Sequence, residues 1–185
     1  NYSDYIKKLY ADADIQKELD ILKPGEPFWR QMDLGYEKQT EGAVRYVQMV
    51  PTYKKEAEYA FLSMGHGMEI IPATAQLLRR AKAAGYRAYY LSNFPDGNWE
   101  VVNENVEEFK LFDGGVVSFE AHQIKPEPDI YKTLMARYGL AAEECLFIDD
   151  TKANTVTAEQ LGMQVIHLVE DMDILQEAKK KGVTL

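Results

Sequence analysis

The sequence has 185 residues, 46% of them hydrophobic, which is enough for one well-packed core or for a core domain with a small appendage. Its formal net charge of −9 argues against a nucleic-acid partner, because phosphate backbones bind to surfaces rich in lysine and arginine. No apolar run approaches the roughly 20 residues of a membrane span, no signal peptide is recognisable, and the one cysteine excludes an intramolecular disulfide, so we expect a cytoplasmic protein with no membrane partner.

The first 68 residues show helical patterns and no convincing strand. Apolar residues at helical spacing, followed by glycine or proline, predict helices at 2–9, 28–35, 40–49 and 54–64. We therefore expect residues 1–68 to form a small helical domain.

From Ile70 onward, predicted helices alternate with predicted strands. Short apolar runs predict strands at 87–91, 116–118, 145–149 and 164–168. Helical patterns lie around and between them, at 72–85, 99–109, 126–138, 154–161 and 173–181. This alternation is typical of βα units, so the sequence predicts an α/β domain over residues 69–185 with a doubly wound parallel sheet.

The strand at 145–149 stops abruptly at two adjacent carboxylates, Asp149 and Asp150. Parallel α/β sheets bind ligands beyond the carboxyl ends of their strands. Two acids at such a place repel each other unless a cation or a proton relieves the charge. The pair is therefore a candidate metal site. The alternative is that one of the two acids simply caps the following helix.

Two other strands are followed by polar groups. Ser92 and Asn93 end the first predicted strand, and Lys125 lies in the loop after the second. Right-handed crossovers bring such loops to the same edge of the sheet. A hydroxyl, an amide, an ammonium and two carboxylates converging there would suit a tetrahedral anion and a divalent cation.

Three motifs resemble the haloacid dehalogenase (HAD) superfamily. The segments 91–93 (LSN), 124–131 (IKPEPDIY) and 147–150 (FIDD) are similar to that superfamily's second, third and fourth motifs. The residue pattern of the lysine motif is similar to that of the superfamily branch with a helical cap. This branch includes sugar phosphatases and the phosphatase domain of soluble epoxide hydrolase. The resemblance covers roughly residues 70–170 and implies a Rossmann-like core, with residues 1–68 as the cap.

The resemblance implies roles for the phosphate-binding residues. Ser92 would hydrogen-bond the transferring phosphoryl group, with Asn93 lining its pocket. Lys125 would stabilise the nucleophile and the phosphoryl charge, which makes Ser92 and Lys125 the candidate catalytic residues. Asn154 is a further candidate for phosphate binding.

The resemblance also implies a metal and a reaction. Asp150 would ligate Mg²⁺, with Asp149 supporting it. The implied function is Mg²⁺-dependent hydrolysis of a small phosphorylated metabolite through an aspartyl-phosphate intermediate. Metal-independent dehalogenases of the superfamily usually carry serine or asparagine where this sequence has the acid pair, so dehalogenation is a less favoured alternative.

The superfamily's first motif, Asp-x-Asp after an N-terminal strand, has no credible counterpart. Asp12-Ala13-Asp14 matches the residue pattern, but a polar segment with a helical pattern precedes it instead of a strand. We therefore interpret both acids as helix or loop residues. We therefore expect this chain to lack the nucleophile, to be inactive alone and to bind metal weakly, and the intact protein to be longer at its N-terminus. A catalytically dead binding or scaffold protein is the alternative.

The absent motif would also remove a strand. In the superfamily's sheet the first strand lies centrally, between the strands that end here at Leu91 and Ile148. Unpaired interior backbone groups cost about 1–3 kcal/mol each. Without the first strand, the chain should therefore be unstable, pair those two strands directly or borrow a strand from a partner. Strand exchange would make the protein a homodimer.

Overall fold

The computed structural model describes residues 2–21 and 27–185. The chain forms two compact units. The first comprises the residues up to Glu69 together with Phe94–Val106, and the second comprises Ile70–Asn93 together with Glu107–Leu185. The segment 94–106, which we had placed in the α/β domain, therefore belongs with the N-terminal helices. Within the described residues, no helix combines the length and the apolar composition that crossing a membrane requires.

The first unit is helical throughout its described part. Its elements are α1 (Tyr2–Leu9), α2 (Ala13–Leu19), α3 (Pro27–Asp33), α4 (Gln39–Met49), α5 (Lys54–Leu62), a 3₁₀ turn (Met64–Gly67) and α7 (Asp96–Asn105).

An aromatic cluster fills the centre of the helical unit. Phe61 stacks on Trp29 and on Tyr46, with ring centroids 5.2 Å apart in both pairs. All three side chains are buried. Stacked aromatic pairs add to the hydrophobic gain of burying large rings. These residues lie on three different helices, α3, α4 and α5, whose apolar faces pack into one common core.

The helix α2 was not predicted, and its start explains Asp12. The Asp12 carboxylate accepts hydrogen bonds from the backbone N–H groups of Asp14 (2.8 Å) and Ile15 (3.3 Å). This is the bonding of an N-cap residue. The Asp12-Ala13-Asp14 segment therefore begins a helix, in agreement with its interpretation as helix acids.

The second unit contains all strands of the described chain. Its elements are α6 (Pro72–Ala83), β1 (Tyr89–Ser92), a 3₁₀ turn (Glu107–Leu111), β2 (Gly114–Val117), α8 (Ser118–Ala121), α9 (Pro128–Tyr138), a second 3₁₀ turn (Ala142–Glu144), β3 (Leu146–Asp149), α10 (Lys152–Gln160), β4 (Gln164–His167) and α11 (Ile174–Lys180).

Helices cover both faces of these strands. Phe147 in β3 packs into a cluster built on the buried residues of α9 and α10, whereas its neighbours Leu146 and Ile148 pack into another cluster with α6 and α11. Successive side chains of a strand point to opposite faces, so a fully apolar strand implies helices on both sides. The predicted α/β class is confirmed.

The strands form two parallel pairs. β1 pairs with β2, Leu91 opposite Val116, and β3 pairs with β4, Ile148 opposite Ile166. Within the described residues no ladder joins β1 to β3, so the two strands expected to flank a central strand do not pair directly.

Candidate active site

Residues at the carboxyl ends of β1 and β3 meet around one lysine. Ser92 is the last residue of β1, and Asp149 is the last residue of β3. Lys125 lies in the loop between α8 and α9. The predicted convergence of the strand ends is therefore observed for Asn93, Lys125 and Asp149, which are linked by the hydrogen bonds described below.

Asn93 holds the backbone of Lys125 with both atoms of its amide. Its Nδ2 donates to the Lys125 carbonyl oxygen (3.0 Å), and its Oδ1 accepts from the Lys125 N–H (2.9 Å). A side-chain amide that donates to and accepts from the same residue fixes the local backbone in two directions. The predicted pocket residue Asn93 thus positions the lysine.

Lys125 and Asp149 form a buried ion pair. The Lys125 Nζ lies 2.7 Å from Asp149 Oδ2, and the two side chains are only 10% and 6% exposed. The ring centroid of Phe147 lies 5.9 Å from the same nitrogen. An ion pair this short and this buried requires further hydrogen bonds to offset its desolvation.

The second oxygen of Asp149 supplies those bonds. Asp149 Oδ1 accepts from the backbone N–H of Thr151 (2.8 Å) and from Asn154 Nδ2 (2.9 Å). Thr151 precedes the first residue of α10, so Asp149 also anchors the start of that helix. Helix anchoring, the alternative interpretation of the acid pair, therefore describes one oxygen of Asp149, and the other oxygen binds the Lys125 ammonium. The metal site stays a prediction.

Asp150 has a different environment from its neighbour. It is exposed, and its backbone carbonyl oxygen lies 3.0 Å from His167 Nε2 at the end of β4. Within the described residues, no group of three or more histidine, cysteine, aspartate and glutamate side chains could hold a metal ion. The described chain thus offers Asp150, beside an already bonded Asp149, as a partial ligand set for a hard cation.

Asn154 lies behind the ion pair. It is buried, its amide nitrogen contacts Asp149 as described, and its backbone oxygen accepts from the hydroxyl of Tyr131 (3.0 Å). Burial raises the pKa of Tyr131, and the nearby Asp149 carboxylate raises it further, so the phenol stays protonated. Asn154 therefore supports Asp149, and its predicted contact with phosphate stays a prediction.

Sequence reasoning missed the parts played by Tyr131 and His167. Tyr131 carried a signal, because it closes the lysine motif and lies on the apolar face of α9 with Ile130 and Leu134. The only signal for His167 was its position near the end of a predicted strand, and in the structure it is the last residue of β4.

A sequence model of a hydrolase family described as haloacid dehalogenase-like matches residues 3–162. The chain is 29% identical over 104 residues to the sesquiterpene phosphatase astK of Aspergillus oryzae, a match that covers 56% of this chain and 53% of that protein. The chain thus spans about half of the length of this curated relative.

Solved structures with a similar fold include both phosphate-bound and dehalogenase proteins. A mutant of the HAD family enzyme bt-2542 from Bacteroides thetaiotaomicron, in complex with magnesium and inorganic phosphate, superimposes with a TM-score of 0.71 at 23% identity, covering 93% of this chain and 87% of that chain. The L-2-haloacid dehalogenase from Xanthobacter autotrophicus gives a TM-score of 0.63 at 18% identity, covering 99% and 77%. At these identities the similarity concerns the fold alone.

Proposed function

Because the chain belongs to the haloacid dehalogenase-like hydrolases, we propose that it is the lysine-bearing part of a phosphatase that acts on a small phosphorylated metabolite. The observation that carries the proposal is the buried Lys125–Asp149 pair at the carboxyl ends of β1 and β3. The relative named as a sesquiterpene phosphatase supports phosphate-ester chemistry over carbon–halogen cleavage.

Lys125 and Ser92 would contact the phosphoryl group, and their neighbours would position the lysine. Asn93 holds the backbone of Lys125 and Asp149 holds its ammonium, so the ammonium would meet developing negative charge with little reorganisation. The Ser92 hydroxyl would donate a hydrogen bond to a phosphoryl oxygen. Asn154 would keep Asp149 oriented from behind.

Asp150 would hold Mg²⁺. Its exposed carboxylate suits a hard cation that keeps several waters, and the missing ligands would come from water, from the substrate and from residues outside this chain. When bound, Mg²⁺ neutralises charge on the phosphoryl oxygens. Asp149 would contribute by fixing the backbone beside Asp150.

The nucleophile would come from an Asp-x-Asp segment outside the chain. Its first carboxylate would attack phosphorus as the ester P–O bond breaks, the departing oxygen would take a proton, and water would then hydrolyse the aspartyl-phosphate. Asp12 cannot take this part, since its carboxylate caps α2. The 185-residue chain alone would therefore be inactive. We further propose that the helical unit is the cap of the enzyme.

Phosphate release by the intact protein tests the function. Phosphorylated sugars, nucleotides and prenyl alcohols would be assayed with and without Mg²⁺. We expect Mg²⁺-dependent release from at least one class, loss of turnover in Lys125→Ala, and normal turnover in Lys132→Ala, a control that removes an exposed lysine of α9. No release from any substrate would refute the phosphatase, and chloride release from 2-haloacids would favour the dehalogenase alternative.

The coding DNA upstream of Asn1 separates the enzyme from the scaffold alternative. The enzyme requires an in-frame apolar strand followed by Asp-x-Asp. A stop codon directly before Asn1 would instead favour a binding protein without catalysis. Vigorous turnover by the 185-residue chain would contradict the proposal that its nucleophile lies elsewhere.

A further inference from the structure

Tyr131 is a fully buried side chain that carries a polar group. It lies on α9 in the second unit. Burying a hydroxyl costs free energy unless the hydroxyl makes a hydrogen bond, whereas phenylalanine would fill the same space without that cost. The Tyr131 hydroxyl donates its bond to the backbone oxygen of Asn154 (3.0 Å) on α10. The hydroxyl therefore joins α9 to α10 at a defined point.

The first turn of α10 carries two donors to Asp149 Oδ1. Thr151, which caps the helix, supplies its backbone N–H, and Asn154 supplies its side-chain amide. The two residues are also bonded to each other, since the Asn154 N–H donates to the Thr151 carbonyl oxygen (3.0 Å). An anchor on the backbone of Asn154 therefore fixes both donors at once.

The ring of Tyr131 makes a separate contact near the ion pair. Its centroid lies 5.4 Å from that of Phe147 in an edge-to-face arrangement, and Lys125 Nζ lies 5.9 Å from the same Phe147 centroid. Edge-to-face packing depends on the rings and not on the hydroxyl. Tyr131→Phe thus keeps this ring contact and removes only the bond to Asn154.

We propose that Tyr131 is a positioning residue whose hydroxyl, through Asn154, keeps Asp149 oriented toward Lys125. Without the hydroxyl, the first turn of α10 loses an anchor to α9, and the two donors to Asp149 Oδ1 are held less firmly. The second oxygen of Asp149 is then less well oriented, because both oxygens belong to one planar group. The value of this positioning for turnover rests on the proposed function, but the positioning itself does not.

Tyr138 provides a matched control for Tyr131. It lies on the same helix, and its hydroxyl also donates to a backbone oxygen of the second unit, that of Gly115 in β2 (3.1 Å). The same hydroxyl accepts from the Gly115 N–H (2.8 Å). Tyr138→Phe and Tyr131→Phe thus each remove a phenol hydroxyl of α9 that is bonded to backbone. The two variants differ in whether the lost bonds lead to β2 or to α10.

Hydrogen exchange of backbone amides in the 185-residue chain measures this positioning. The Thr151 N–H, which donates to Asp149 Oδ1, reports on the first turn of α10. The Gln164 N–H donates to the Cys145 carbonyl oxygen (3.0 Å) and reports on the same unit outside that turn. A general loss of stability accelerates both amides alike, whereas a loosened turn accelerates Thr151 alone, so the ratio of the two rates separates these effects.

In Tyr131→Phe we expect the ratio of the Thr151 rate to the Gln164 rate to rise on the order of tenfold, because the turn opens locally without its anchor. In Tyr138→Phe this ratio should stay within about twofold of the wild type. The Gly115 N–H should exchange faster in Tyr138→Phe, since it loses its acceptor there, and this shows that the control variant has lost its own bond.

An unchanged ratio in Tyr131→Phe would overturn the proposal, and so would an equal rise of the ratio in Tyr138→Phe. An unfolded Tyr131→Phe would also contradict it, because the hydroxyl would then support the whole fold instead of the α10 turn. The exchange rates do not depend on catalysis, so their failure leaves the proposed phosphatase untouched. Conversely, a failed phosphatase assay would leave the role of Tyr131 in holding Asp149 standing.

Discussion

At the residue scale, Asp149 and Asp150 are adjacent acids with opposite environments. Asp149 accepts three hydrogen bonds inside the second unit, one of them from a buried ammonium. Asp150 is exposed. One acid therefore contributes to stability, and the other is open to solvent.

Asp149→Ala should unfold far more easily than Asp150→Ala. Removing one member of a buried pair leaves Lys125 as an uncompensated buried charge, which costs about 3–5 kcal/mol. Asp150→Ala should change the free energy of unfolding by no more than about 0.5 kcal/mol. Urea unfolding followed by circular dichroism measures both variants, and equal midpoints would contradict this account of the pair.

Asp33 at the end of α3 is a half-buried acid, and burial raises its pKa to about 7 from the ordinary 3.8. The folded protein therefore binds a proton that the unfolded chain has released between these two values. The unfolding free energy should fall as pH rises from about 4 to 7, because over this range the unfolded state binds fewer protons than the folded state. It should level off above pH 7, where both states have released the proton.

Asp33→Asn should remove this pH dependence. Above pH 7 the variant should be more stable than the wild type, because a neutral amide avoids the desolvation cost of the ionised carboxylate. Both tryptophans of the chain, Trp29 and Trp99, lie in the helical unit, so their fluorescence follows its unfolding. Asp14→Asn, at an exposed position, is the control, and identical pH profiles for wild type and Asp33→Asn would contradict the assignment.

Which residues meet at the candidate site was predictable where it follows from their positions after the strands. The sequence placed Asn93, Lys125 and Asp149 together, because polar residues after parallel strands share one edge of the sheet. The division of tasks between Asp149 and Asp150 was not predictable. It depends on which carboxylate faces the lysine, and that is decided by tertiary packing.

At the element scale, the start of α2 separates two interpretations of Asp12. As an N-cap, Asp12 should be replaceable by asparagine, which also accepts from the N–H groups of Asp14 and Ile15. Asp12→Ala should cost about 0.5–2 kcal/mol. Thermal unfolding of the two variants measures the difference.

The same pair tests whether Asp12 is a nucleophile in the intact phosphatase. An amide cannot form an aspartyl-phosphate, so Asp12→Asn should retain turnover only if Asp12 is the cap. Loss of turnover in a stably folded Asp12→Asn would restore Asp12-x-Asp14 as a catalytic motif.

The positions of most helices and strands could be predicted from the sequence. The four strands lie within two residues of their predicted bounds, since apolar runs and turn residues delimit them. Helix α2 was missed because its seven residues carry few apolar side chains. The helix predicted at 54–64 ends at Leu62, two residues early, and a 3₁₀ turn follows it, since glycine marks the end of a helix only approximately.

At the scale of the whole molecule, the strands form two separate parallel pairs. Each of β1 and β3 has a ladder on one side only within the described chain, and the apolar residues of β3 are half-buried. Unpaired strand edges are templates for pairing with another chain. The absent first motif led us to expect a gap between these two strands, but the direct pairing that would close it is not observed within the described residues. Composition and periodicity alone do not reveal how many strands a sheet should have.

The 185-residue chain should therefore self-associate as its concentration rises. Free edges of β1 and β3 would pair between copies, which would also realise the expected homodimer. Sedimentation velocity over a wide concentration range measures this association. A single monomeric species throughout would show that the edges are protected in solution.

The affiliation of α7 bears on how chimeras of this protein should be built. Its helical unit is discontinuous in the gene, since residues 94–106 belong to it although they are encoded between β1 and β2. A domain exchange that replaces only the first 69 residues would leave Asp96 and Asn98 facing a foreign surface without Gln39. Recombination would need three junctions, after residues 69, 93 and 106, so that α7 is transplanted together with the N-terminal helices. Libraries shuffled at the single junction after residue 69 should yield mostly misfolded proteins.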